Sequence, residues 1–415
     1  MSRQRADVVV IGGGASGMMC SAVAAERGLD VILLEPNKIL GRKLRITGKG
    51  RCNVTNNCDI KEFLTNIPGD GRFLYSALNR LSPRDTMELF EGLGLKLKTE
   101  RGNRVFPVSD NANDVAGALQ RYMHRSGVRI ERCSAKHILT ENSAVVGVQT
   151  DEGVIDCRAA VICTGGLSYP LTGSKGAGYK MAQELGHTLT ERRPSLVPLE
   201  SDDEYCAQMQ GFSLRNVTLS AFEDGKLIYK ELGEMLFTHF GVSGPLILSA
   251  SAHMRRFGQK QYHLEIDLKP ALDEKALDKR LLSDFEKYAN SDFCNALGAL
   301  LPQKMIGTFA DRSGIPPHQK VHDITRAQRE ALRVLLKRWR IDVAAPMPVE
   351  TAIITSGGVS VREIDPKTLA SKKIGGLYFA GEMIDVDAYT GGFNLQIAWA
   401  TGKAAGESAA FALQR

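Results

Sequence analysis

Apolar residues along the chain follow two periods, and the changes of period mark the elements. Residues 7–11 and 31–34 are short β-branched runs without polar interruption, the pattern of strands buried on both faces of a parallel sheet. Between them, 15–27 reads as a helix stopped by Gly28, so the chain opens with a βαβ unit. A polar, glycine-rich loop follows over 41–57, then helices over 73–81, 84–93 and 113–126, the second opening on Ser82-Pro83. Short alternating strands are expected at 128–133, 136–140, 144–150 and 153–157. A further buried strand, 159–163, ends at Thr164-Gly165-Gly166 ahead of a helix at 178–185.

The pattern changes near Pro194. Period-two stretches at 195–200, 214–222, 226–231 and 261–268 predict a β-rich region, and 271–340 reads as helical. From 350 the first pattern returns, with strands at 352–355 and 376–380 and a long helix over 394–413. The expected organisation is an α/β domain in two pieces, 1–190 and 350–415, interrupted by a β-rich insert, 191–270, and a small helical domain, 271–349.

Composition narrows the class. With 43% hydrophobic and 24% charged residues, the 415-residue chain is neither disordered nor fibrous. No apolar run reaches the roughly 18 residues of a membrane helix, so a cytoplasmic protein is expected. The eight cysteines are scattered, without C-x-x-C pairs or zinc spacing, so reduced thiols and no metal are expected. A net charge of +6 is spread thinly, and no nucleic-acid partner is expected from it. Glycine is the outlier, at 41 residues, and its clusters carry the chemistry.

Gly12-x-Gly14-x-x-Gly17 lies between a predicted strand and a predicted helix. The first glycine permits a tight turn, the second lets a pyrophosphate approach the backbone, and the third lets helix and strand pack closely. With Ala15 and Ser16 these residues open the helix, whose free amides suit phosphate. Glu35, at the end of the second strand, is placed to accept from ribose hydroxyls. Together they predict dinucleotide binding.

A second constellation runs through Gly381-Glu382, Asp385 and Gly391-Gly392-Phe393-Asn394-Leu395. A strand ending in Ala-Gly-Glu before a helix start resembles the C-terminal flavin motif of glutathione-reductase-like FAD proteins. A helix N-terminus there would stabilise the negative charge that reduction places on a flavin. Only one Gly-x-Gly-x-x-Gly is present, so NAD(P)H is expected to dock transiently as hydride donor. No His or Cys attachment motif presents itself, so FAD is expected to be non-covalent.

Four stretches together resemble the BaiN-type bacterial flavoproteins, known as NAD(P)/FAD-dependent oxidoreductases: 41–56, 164–170, 236–245 and 381–394. The resemblance spans the whole chain. It implies an FAD domain built from both chain ends, and reduction of a carbon–carbon double bond conjugated to a ketone, as in oxo-bile acids. An oxygen-dependent aminoacetone oxidase is also similar, so amine oxidation is an alternative. A non-catalytic, flavin-bound RNA-binding protein is a second, supported only by the basic helical insert. Lys49 departs from the family's Gly-Gly-Gly-Arg-Cys-Asn run, where a third glycine is expected.

The resemblance gives Lys43, Asn53, Thr55 and Gly165 roles at the cofactor. For the proton that completes the reduction, the candidates are Tyr169, at a strand end, and His239, in the inserted β region. The expected substrate is a small, possibly steroid-like molecule.

Overall fold

The computed structural model describes residues 4–415. Residues 4–195 and 349–415 form one compact unit, and 196–348 form a second.

The first unit is built on a five-stranded parallel sheet. Its order is Leu377–Phe379, Ala159–Ile162, Val8–Ile11, Val31–Leu34, Arg129–Glu131. The three middle strands are buried at every position, as their unbroken apolar runs require. Helices Ala15–Glu26 and Phe393–Leu413 pack against each other. Their small residues permit close approach: a Cβ on Gly402 would lie 2.5 Å from the Ser16 carbonyl oxygen. Val8–Ile11 connects onward to one side of the sheet, and Ala159–Ile162 lies on its other side. The carboxyl ends of these two strands therefore flank a switch point, where open α/β sheets bind ligands.

The second unit carries a seven-stranded antiparallel sheet, running from Trp339–Val343 through Tyr262–Asp267, Ser213–Glu223, Lys226–Thr238 and Gly241–Ser243 to Leu199–Glu200 and Ala345–Pro346. Helices Glu274–Lys287, Gln303–Ser313 and Arg326–Lys337 share its hydrophobic core through Leu277, Leu281, Phe309, Leu332 and Leu336.

The structure corrects several boundaries. Trp339–Val343 is a strand, although it falls at the end of a stretch expected to be helical; its alternating burial is the period-two signature. The loop expected over 41–57 contains a short helix, Arg42–Ile46. The hairpin Leu97–Glu100 and Arg104–Pro107 was not anticipated. No helix among the described residues is long and apolar enough to cross a membrane.

Candidate dinucleotide site

The three glycines after Val8–Ile11 do separable jobs. Gly12 holds φ +105°, and a Cβ there would lie 2.7 Å from the Cys163 carbonyl oxygen. A Cβ on Gly17 would stand 1.9 Å from the Gly12 carbonyl oxygen. A Cβ on Gly14 would meet nothing within 4 Å. The first glycine closes the turn, the third seats the helix on the strand, and the second faces open space. Helix Ala15–Glu26 starts there with no side-chain cap, leaving its first amides for a ligand.

Glu35 is beside this turn. Its Oε2 accepts from Gly13 N at 2.9 Å, and its Oε1 accepts from Asn37 N at 2.9 Å and Asn37 Nδ2 at 2.6 Å. Ser16 is buried, and its Oγ donates to the Ala380 carbonyl at 3.4 Å. Ala15 is half-buried beside it. Gly381, at φ +78°, lies against Ser16: a Cβ there would reach within 2.5 Å of Ser16 Oγ. The two glycine constellations, far apart in sequence, thus meet.

Gly165 holds φ +72°, and a Cβ on Gly166 would lie 2.5 Å from Thr355 Oγ1. Next to them, Lys43 Nζ donates to Glu382 Oε2 at 2.6 Å and to Ser168 Oγ at 2.7 Å. Asp385 is half-buried, its amide donating to the Val359 carbonyl. Helix Phe393–Leu413 starts from Gly392, φ +99°, with no side-chain cap. The Asn394 side chain braces residues 388–389: its Oδ1 accepts from Ala388 N, and its Nδ2 donates to the Ala388 and Tyr389 carbonyls. Leu395 is half-buried on the same turn.

Thr55 faces inward. It is fully buried, and its hydroxyl donates to Gln396 Oε1 at 2.7 Å, so the structure gives it a bracing role. Asn53 keeps Oδ1 buried without a hydrogen-bond partner, as does Thr164 with Oγ1. Tyr169 is half-buried at φ +53°, seven residues past strand Ala159–Ile162. His239 is exposed on the turn between Lys226–Thr238 and Gly241–Ser243, edge-on to Phe240 at 5.0 Å. The two proton-donor candidates belong to different units.

Sequence reading missed Ser168, Thr355 and Tyr179. Tyr179 is buried with no partner for its hydroxyl; burial, then the nearby carboxylates of Glu382 and Asp385, push it well above the usual phenol range. Cys52, in the same loop as Lys43, is pushed up to about 12 by burial, which makes it an inert thiol.

These residues fit FAD. The cleared space at Gly14 suits a pyrophosphate, uncapped amides open two helices, and Asn53 and Thr164 hold buried polar atoms in want of partners. The fold and the site define the class: a Rossmann-type, FAD-binding oxidoreductase. Within that class the chain belongs to the HI0933-like family, whose Rossmann domain matches residues 6–408.

The chain is 30% identical to the 3-dehydro-bile acid delta(4,6)-reductase of Clostridium scindens, over 97% of this chain and 98% of the relative. It is 29% identical to the ribosomal RNA dihydrouridine synthase of Escherichia coli, over 96% of both. Among solved structures, the 3-ketosteroid-delta4-(5alpha)-dehydrogenase of Rhodococcus jostii RHA1 has the same fold, with a TM-score of 0.56 at 17% identity, covering 99% of this chain and 98% of that one.

Proposed function

We propose that this protein uses NAD(P)H and non-covalent FAD to reduce a carbon–carbon double bond conjugated to a carbonyl. The observation that carries the cofactor reading is the contrast between Gly14, which faces open space, and Gly12 and Gly17, whose neighbours fill theirs. The reaction reading rests on the relatives. A bile acid delta(4,6)-reductase and a uridine-to-dihydrouridine enzyme both, by name, saturate a double bond conjugated to a carbonyl.

When bound, FAD supplies a hydride acceptor and donor. The chain supplies the rest. Gly14, Ala15, Ser16 and Gly17 offer amides to the phosphates, Gly12 turns the chain beneath them with its own amide held by the Leu34 carbonyl, and Glu35 accepts from the ribose. Asn53, Gly165, Gly381, Asp385, Asn394 and Leu395 surround the remainder. Tyr169, at the carboxyl end of the sheet, donates the proton to the second carbon of the double bond, with His239 as the alternative donor.

The substrate within this chemistry is a steroid-like enone, or a uracil in RNA. The dihydrouridine synthase relatives favour the second. Much of the positive charge of the basic helical insert is paired within its own unit. There, Arg280 pairs with Asp284, Arg312 with Asp203, Arg329 with Asp278 and Lys337 with Asp267. Arg333 pairs with both Glu274 and Glu330.

An anaerobic absorbance spectrum tests the proposal. Flavin absorbance bands that bleach with NADPH or NADH, and recover on adding a steroid enone or a uridine-containing RNA, support it and name the substrate class. Bands that only an amine bleaches point to the oxidase. Absence of flavin bands after soaking with FAD overturns the reading.

A further inference from the structure

Glu382 gathers three segments of the first unit. Its carboxylate accepts from Lys43 Nζ at 2.6 Å, Ser168 Oγ at 3.0 Å and Thr355 N at 2.9 Å. The links close on themselves. Lys43 Nζ also donates to Ser168 Oγ, and Thr355 Oγ1 accepts from Leu167 N at 2.8 Å and Ser168 N at 3.2 Å. The Lys43 and Glu382 side chains are 22% and 14% exposed.

Two features make this more than a brace. First, a largely buried ion pair is a poor source of stability, since well-packed apolar residues serve as well or better. An ammonium has three donors, and Ser168 and Glu382 take two. Second, its location is specific. Glu382 follows Gly381, which rests on Ser16 in the first turn of the dinucleotide-binding helix. Ser168 follows the glycine pair after Ala159–Ile162. The pair therefore stands at the carboxyl ends of adjacent parallel strands, beside the switch point.

We propose that Lys43 and Glu382 are a positioning pair that sets the reduction potential of the flavin held here; this rests on the FAD reading above. Reduction adds negative charge to a flavin. A fixed cation favours that charge and a fixed anion opposes it, most strongly where water is scarce. Glu382 holds the Lys43 ammonium in one place and offsets part of its charge. Removing either member therefore shifts the potential, and the two removals shift it in opposite directions.

The test is an anaerobic reductive titration of purified, FAD-reconstituted protein against a dye of known potential. Lys43→Met lowers the midpoint, Glu382→Gln raises it, and Lys43→Arg returns it close to the parent value. A purely structural role moves Lys43→Met and Glu382→Gln the same way, or changes only FAD affinity; either result overturns the assignment. If Lys43→Met fails to hold FAD, Glu382→Gln decides alone, and a midpoint that falls or stays put sinks the proposal. A parent protein that binds no flavin instead refutes the cofactor reading itself.

Discussion

Thr55 and Gln396 meet in a dry interior: both are fully buried, and the Thr55 hydroxyl donates to Gln396 Oε1 at 2.7 Å. The other end of the Gln396 amide donates to the Leu81 carbonyl, also at 2.7 Å. One side chain thus joins strand Thr55–Asn56, the start of the C-terminal helix and the turn ahead of Pro83. Gln396→Leu strands a hydroxyl and a carbonyl together. At about 1–3 kcal/mol for each unsatisfied group, the loss is roughly 2–6 kcal/mol. Urea denaturation checks it, with Thr55→Val expected to lose less because Gln396 keeps its other bond.

Gly14 and Gly17 separate binding from folding. Gly17→Ala drives a methyl into the Gly12 carbonyl, and helix and strand must part, at a cost of at least about 2 kcal/mol. Gly14→Ala meets no atom and sits at φ −82°, which alanine accepts. Its melting temperature without FAD should match the parent, while FAD affinity drops. Calorimetry of the FAD-free proteins and a fluorescence titration with FAD measure the two effects separately.

Lys49 holds φ +58° between two glycines of positive φ. A left-handed conformation costs a side-chain-bearing residue about 1–2 kcal/mol. Glycine escapes that cost but loses about 0.5–1 kcal/mol through its freer unfolded chain. Lys49→Gly should therefore stabilise the protein by roughly 0.5–1 kcal/mol, seen as a higher urea midpoint with an unchanged slope. No gain, or a loss, would mean the lysine side chain makes a compensating contact.

Glu363 gives the acid limb of the stability profile a definite contributor. Desolvation alone would raise its pKa. Hydrogen bonds from Lys373 and from the Thr188 amide and hydroxyl outweigh it and bring the carboxyl down to about 2. A folded-state pKa below the unfolded one means that this stabilisation is complete above about pH 4.5. It is lost as the pH falls toward 2. Glu363→Gln should flatten the stability curve across that window and leave its shape above pH 6 unchanged.

The parallel sheet is legible because four of its strands are short, unbroken apolar runs, and all five, the polar edge strand Arg129–Glu131 included, lie within a residue or two of their expected bounds. The hairpin Leu97–Glu100 and Arg104–Pro107 escaped because the first strand, Leu-Lys-Thr-Glu, is half-exposed and carries little periodicity. Trp339–Val343 was absorbed into the amphipathic helix before it, since five alternating residues are a weak signal beside a strong one. In the site, local glycine patterns revealed the turns. The Lys43–Glu382 pair did not show, because its members lie 339 positions apart and nothing in their own surroundings links them. Thr55 sat in a telling motif, yet only the fold shows its hydroxyl turned toward Gln396.

The order of the sheet has a consequence for how the protein is made. Val161 pairs with Val10 on one side and with Tyr378 on the other. A ribosome adding about 5–20 residues per second emits the first two strands long before the third. The edge of Ala159–Ile162 must then wait roughly 10 to 40 seconds for its last neighbour. During that pause, residues 196–348, which own a separate core, can condense by themselves. The open apolar edge is meanwhile exposed to stray pairing with other nascent chains. Slower growth and lower temperature during expression should therefore favour recovery of intact protein, because the C-terminal strand and helix act as a latch that closes last.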